Sequence, residues 1–201
     1  TFADSTNLNR FEVGEAVTSI GSAPSFTGGL YGLRFDSTRE TYLSKSYTGT
    51  KKFTLSVWLK PTDSPTLDAF RIFAATNPSD NTGGYALCQY RSDSKVIEFA
   101  GNGTSSLLST ATFDKNVWTN FVFTYDEAAT ESKIYANGVE VASGTNVFTG
   151  FNANSATQVK IGEWNGSSSD GYLSEYYFVD GQVLPASAFG TTNSDTQTWV
   201  P

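Results

Sequence analysis

The sequence predicts an all-β protein: a two-sheet antiparallel jelly-roll sandwich of about a dozen strands with almost no helix. Three observations lead there. Apolar residues come in short runs that alternate with polar ones, the period-two signature of strands with one face buried. Gly and Asn punctuate those runs at short intervals, as tight turns require. No stretch shows the apolar periodicity of an amphipathic helix longer than a turn or two. A length of 201 residues, with 38% hydrophobic and 14% aromatic residues, suits one large sandwich with a sizeable core, since all-β domains of about 200–250 residues commonly form a single unit.

In chain order, residues 1–29 are expected to be an N-terminal extension or linker strand. FEVGEAVTSI can supply one or two short strands around Gly14, either closing an edge of the sandwich or leading to an upstream domain. The domain proper is expected over residues 30–190. LYGLRFD and ETYLSKSY read as its first two strands, joined by a turn at Ser37, Thr38 and Arg39. Phe53, Leu55, Val57 and Leu59 then alternate with Thr54, Ser56, Trp58 and Lys60. Pro61 closes this run because it cannot donate to a ladder. Trp58 stands among polar positions, where it would either cover the outer side of a sheet or offer a sugar-stacking platform. FRIFAAT, GGYALCQYR, KVIEFAG and SSLLSTATF are four further strand candidates, and NPSDNTGG (Asn77 to Gly84) is a turn rich in oxygen donors.

The firmest local signal lies between Trp118 and Ser143. WTNFVFTYD alternates Phe121, Phe123 and Tyr125 with Val122 and Thr124, so both faces are apolar and the strand should be central. In KIYANGVEVAS, Asn137-Gly138 separates two alternating runs, and both residues tolerate the positive φ of a type I′ turn. A two-residue turn there would set Tyr135 opposite Glu140 and Ile134 opposite Val141. VKIGEW leads into the polar loop NGSSSDG, and Gly171 to Gly181 forms the last long strand. Strict alternation would put Leu173, Glu175, Tyr177 and Val179 on one face, leaving Glu175 on a mostly apolar surface. PASAFG should hold the only helical turn, with Pro185 opening and Gly190 closing it. Residues 191–201 read as a connection to further sequence, and the lack of Met, even at position 1, suggests a processed or excised piece.

Taken together, WTNFVFTYD, KIYANGVEV, VKIGEW (Val159 to Trp164) and GYLSEYYFVDGQVL (Gly171 to Leu184), preceded by FTLSVWLKP (Phe53 to Pro61), resemble the laminin-G-like, or concanavalin A-like, jelly-roll family. The likeness runs from Leu33 to Phe189. The ending FVDGQVLPASAFG is most similar to versions found in phage tail-fibre and other virion proteins. The resemblance implies a non-enzymatic interaction module of a virion structural protein, of tail-fibre, adhesin or decoration type, that binds a cell-surface glycan. Its other partners would be virion proteins or domains of the same longer chain, and its place the virion, or otherwise the cell surface or exterior. Two alternatives stay open: a purely structural virion domain, and a carbohydrate-active enzyme of the same superfamily.

Chemistry narrows the choice. With no His, neither Ser-His-Asp hydrolysis nor a His-based zinc site can be assembled. Cys88 is the single Cys, which excludes an intrachain disulfide and fits a small buried hydrophobe. A net charge of -7 gives no basic footprint for nucleic acid. No apolar run approaches the roughly 18 residues of a membrane-spanning helix. Enzymes of the resembled superfamily place acids at alternate positions of one strand, in the pattern E-x-D-x-E, and no strand here does so. Glu175 is the natural acid candidate but stands alone, so no catalytic residue is assigned. Sugar recognition needs an aromatic face with amides and carboxylates on loops, which Trp164, Asn165 and Asp170 offer. Asn77, Asp80 and Asn81 offer oxygen ligands in another loop, and with Asp170 they are the candidate ligands for calcium. The resemblance locates sugar and calcium at one rim of the sandwich, and calcium is the one cofactor it admits.

Overall fold

The structure is a computed structural model that describes residues 12–13, 20–21, 32–47, 51–64, 69–76, 86–101, 106–145 and 158–201. Its strands are β1 (Glu12–Val13), β2 (Ile20–Gly21), β3 (Gly32–Phe35), β4 (Leu43–Ser46), β5 (Lys52–Pro61), β6 (Ala69–Thr76), β7 (Ala86–Arg91), β8 (Val96–Gly101) and β9 (Ser106–Leu108). They continue with β10 (Thr119–Asp126), β11 (Glu131–Ala136), β12 (Val139–Thr145), β13 (Gln158–Ile161), β14 (Glu163–Trp164), β15 (Ser167–Ser168), β16 (Gly171–Asp180), β17 (Thr191–Thr192) and β18 (Trp199–Val200). Six have only two residues and twelve are longer, in keeping with the expected dozen. Among the described residues there is no α-helix, and no helix long and apolar enough to cross a membrane.

Two seven-stranded sheets face each other. Sheet I has the order β1-β4-β13-β6-β7-β8-β9, and sheet II the order β12-β11-β10-β5-β16-β3-β2. The N-terminal segment thus supplies an edge strand to each, β1 beside β4 and β2 beside β3. The strands β3 and β4, consecutive as expected, belong to different sheets. Between them Ser37–Arg39 is a 3-10 turn, which Asp36 caps by accepting from Thr38 N at 3.0 Å. A second 3-10 turn, Ala186–Ala188, sits in the PASAFG segment as expected, though it is not the only one.

The inward residues of β5 and β10 alternate as the sequence implies. Phe53, Leu55, Val57 and Leu59 join Phe121, Phe123 and Tyr125 in one buried core with Phe73, Phe99 and Cys88. Phe53 is a hub of ring contacts, with centroids 5.7 Å from Phe73, 5.9 Å from Phe99, 5.7 Å from Tyr125 and 5.2 Å from Phe178. Such edge and offset pairs each add about 0.5–1.5 kcal/mol to the burial of the rings themselves. Burial pushes the Cys88 thiol pKa well up, as its reading as a small hydrophobe requires.

Two registers of sheet II depart from strict alternation, each through a bulge. In the hairpin, Asn137 and Gly138 take φ of 47° and 79°, the signs of a type I′ turn, and Tyr135 faces Glu140 as expected. Ile134 faces Ala142 rather than Val141, because the ladder shifts between Ile134 and Tyr135. In β16 the ladder to β5 shifts between Ser174 and Tyr177, with Glu175 at φ 49°. This reverses the faces: Leu173 and, beyond the bulge, Tyr176 and Phe178 turn to the core, while Tyr177 is exposed. Glu175 therefore leaves the apolar face expected for it, and its carboxylate accepts from Tyr177 Oη at 2.5 Å.

Candidate ligand-binding face

Sheet register lines up the outer face of sheet I in rows. Lys160, Ala74, Leu87 and Ala100 are successive cross-strand partners on β13, β6, β7 and β8, and Arg71, Gln89 and Glu98 form the next row. Arg71 and Ala74 share this face although three residues apart, because a bulge between Arg71 and Phe73 sends both Ile72 and Phe73 to the core. Ala74, Leu87 and Ala100 make a small apolar floor separate from the main core, and Trp164 packs on it.

The local chain path explains how Trp164 arrives there. Gly162 takes a φ of 87°, and its N–H donates to Arg71 O at 2.8 Å. A Cβ at this position would collide with the Phe35 ring, so glycine is required both for conformation and for closeness. β14 and β15 then form a short ribbon, with Trp164 opposite Ser167 and the turn at Asn165-Gly166, both at positive φ. The buried Glu163 closes the turn from beneath, accepting from Gly166 N at 2.6 Å and pairing with the Lys160 ammonium. Lys160 also lies 5.0 Å from the Tyr42 ring centre.

Trp164 is half-buried, and the Arg71 guanidinium lies 5.3 Å from its ring centre. Ser169 Oγ fixes the Arg71 backbone by accepting its N–H at 2.7 Å. In the next row Gln89 Nε2 donates to the buried Glu98 carboxylate, with Arg91 Nη1 3.7 Å away from it. Gln89 Oε1 is buried and has no donor among the described residues. Such an acceptor is satisfied by water or by a ligand hydroxyl. The face thus combines an aromatic surface, an apolar floor, two guanidinium groups and amide and carboxylate acceptors.

Of the residues expected to bind ligand, the structure brings Trp164 and the exposed Asn165 together at the ribbon tip. Asp170 serves elsewhere: its Oδ1 accepts from Ser37 N at 3.0 Å and its carbonyl from Thr62 N at 3.2 Å. It is only 9% exposed and anchors the first 3-10 turn. Asn77, Asp80 and Asn81, with the whole NPSDNTGG turn, lie outside the described residues. Calcium takes six to eight oxygens. Among the described residues no group of three or more acids and cysteines could hold a metal, so Asp170 by itself does not make such a site. Arg71, Gln89, Glu98, Lys160 and Glu163 were not singled out in the sequence. The signal was present as polar residues within apolar strands, Arg71 in FRIFAAT, Gln89 in YALCQYR and Glu98 in KVIEFAG.

Residues 35–187 match the family model described as the concanavalin A-like lectin/glucanases superfamily. Among curated proteins, none matches the chain in sequence. Several solved structures share the fold. Domain 4 of an extracellular arabinanase from Geobacillus stearothermophilus, solved with arabinotriose, superposes with a TM-score of 0.61 at 20% identity, over 91% of this chain and 88% of that one. The sialidase carbohydrate-binding module of Ruminococcus gnavus, bound to α2,3-sialyllactose, gives 0.57 at 15% identity over 71% and 82%. The enzymatically active domain of bacteriophage CBA120 tailspike protein 2 gives 0.63 at 14% identity, over 90% of this chain but 30% of that one.

Proposed function

This chain belongs to the concanavalin A-like lectin/glucanases superfamily, and from that premise we propose that it is a non-enzymatic module that binds a cell-surface glycan through the outer face of sheet I. The observation that carries the reading is Trp164. Its half-buried indole rests on Ala74, Leu87 and Ala100, with Arg71 beside the ring and Asn165 exposed next to it. A pyranose presents a C–H face to an aromatic surface and hydroxyls to neighbouring amides and charged groups. Binding rather than cleavage is favoured because the two buried carboxylates of this face are already committed. Glu98 is held by Gln89 and Arg91, and Glu163 by Gly166 N and Lys160.

The glycan complexes of the arabinanase domain and the sialidase module support a sugar as the ligand class. A virion setting is part of the proposal, supported by the tailspike likeness and by the Phe178 to Gly190 motif. Arabinotriose, α2,3-sialyllactose and a glycan array are the first probes. Binding should appear without release of reducing sugar, and Trp164→Ala should weaken it up to roughly tenfold, the worth of one aromatic contact. Undiminished binding in that variant, or sugar release that depends on Glu98 or Glu163, would overturn the proposal. No binding to any glycan would leave a structural domain.

A further inference from the structure

The outer face of sheet II carries a feature that the Trp164 face does not explain. Tyr172 of β16 pairs with Lys60 of β5 and with Arg34 of β3, and the ring of Trp118, one residue before β10, lies beside Lys60. Lys60, Tyr172 and Arg34 thus alternate cation, aromatic, cation across one end of the sheet, and the Trp118 indole lies over them, reaching Gly32 of β3. The Lys60 ammonium sits between two rings, 4.6 Å from the centre of Tyr172 and 5.5 Å from that of Trp118. We propose that this row binds an acidic polysaccharide, its carboxylates meeting Lys60 and Arg34 and its sugar rings lying along the exposed flanks of Trp118 and Tyr172.

Charge is the first argument. Six described lysines reach a carboxylate, in pairs such as Lys52 with Asp126 and Lys160 with Glu163. Lys60 reaches none among the described residues, in a chain whose net charge is -7. Arg34 is 45% exposed, and its one ion pair among the described residues, with Asp36, is long at 3.6 Å. Asp36 is shared with Arg39 and accepts two hydrogen bonds from Thr38. Both cations can therefore take a ligand carboxylate without breaking a close pair.

Position is the second argument. In the adjacent row Asn120, Trp58 and Ser174 are buried, and the C-terminal segment lies on that side, with Trp199 Nε1 donating to Asn120 Oδ1 at 3.2 Å. Lys60, Trp118, Tyr172 and Arg34 remain half-buried or exposed. Lys60 and Arg34 are two strands apart, about 10 Å at ordinary strand spacing, so a ligand with repeated charges suits them better than a single carboxylate. The rings select a saccharide over an acidic peptide, because a pyranose offers a C–H face to an aromatic side chain.

Titration calorimetry of the whole protein with an oligogalacturonate tests this, with a neutral galactan oligomer and polyglutamate as comparison probes. The oligogalacturonate should bind, weaken as salt is added, and lose at least about tenfold in affinity in Lys60→Gln, the worth of one charge-assisted contact. Arg34→Gln should act in the same direction, and thermal melting checks that both variants fold. Trp164→Ala should leave this binding unchanged, which separates the proposal from the sheet I site. Absence of oligogalacturonate binding at millimolar concentration, equal affinity for polyglutamate or the neutral oligomer, or indifference to both substitutions would each overturn it.

Discussion

The outer faces of the two sheets are buried by different means. On sheet II the chain covers its own strands. Thr54 Oγ1 donates to Gln182 O at 2.9 Å and accepts from Leu184 N at 2.8 Å, while Trp199 lies over Gly138 and bonds to Asn120. Beneath this cover Thr54, Ser56, Trp58, Asn120 and Thr124 are nearly inaccessible, and Asn120 Nδ2 donates to Ser56 Oγ and Val57 O. On sheet I Trp164 rests on Ala74, Leu87 and Ala100, next to a row of half-buried Arg71 and buried Gln89 and Glu98 in which Gln89 Oε1 has no donor among the described residues. The part of a face that its own chain closes is architecture. One left with a half-buried aromatic ring and spare polar capacity is where a ligand gains most.

The largest expected effect breaks the sheet II cover. Gly138→Val meets both a φ of 79° and the Trp199 ring, so it should lower unfolding free energy by about 3 kcal/mol or more, measured in urea. Trp199→Ala should cost about 2 kcal/mol, less than a fully buried tryptophan because the residue is half-buried. Both should leave glycan affinity at Trp164 intact. Trp164→Ala is the converse, costing about 1 kcal/mol of stability by the same assay but removing the binding contact.

The smallest effect is a pH dependence. A side-chain hydrogen bond from Thr38 holds the Asp36 carboxyl below its ordinary pKa of 3.8, and one from Lys52 does the same for Asp126. A depressed carboxylate adds stability that is present above its unfolded pKa and lost as pH falls through the folded value. Stability should therefore decline only as pH drops below about 4, and Asp36→Asn should flatten that decline. A decline that begins near neutral pH would contradict the assignment.

The sheets and the core were legible because period-two alternation reports which residues face inward. Phe53 to Leu59, Phe121 to Tyr125 and the Asn137-Gly138 turn all stand where that pattern puts them. Bulges were not legible, since an extra residue at Ile72 or around Glu175 changes the facing of every later residue in its strand without altering composition. The sheet I face depends on such a bulge, and so Arg71 and Ala74 could not be placed together beforehand. Trp164 and Asn165 could be named as candidates together because an Asn-Gly turn beside an aromatic residue is a local signal. The bond from Ser37 to Asp170 spans 133 positions, a pairing that no local pattern reports.

The chain has four tryptophans, and they divide between the two sheets. Trp58 and Trp199 belong to the covered part of sheet II, Trp118 to its open row, and Trp164 to sheet I. Fluorine NMR of fluorotryptophan-labelled protein therefore reads each region separately during titration with a neutral glycan selected on the array. The Trp164 resonance should move with saturation while those of Trp58 and Trp199 stay in place. Movement of Trp58 or Trp199 with Trp164 unmoved, or four unchanged signals while calorimetry records binding, would contradict the assignment of the sheet I face as the glycan site.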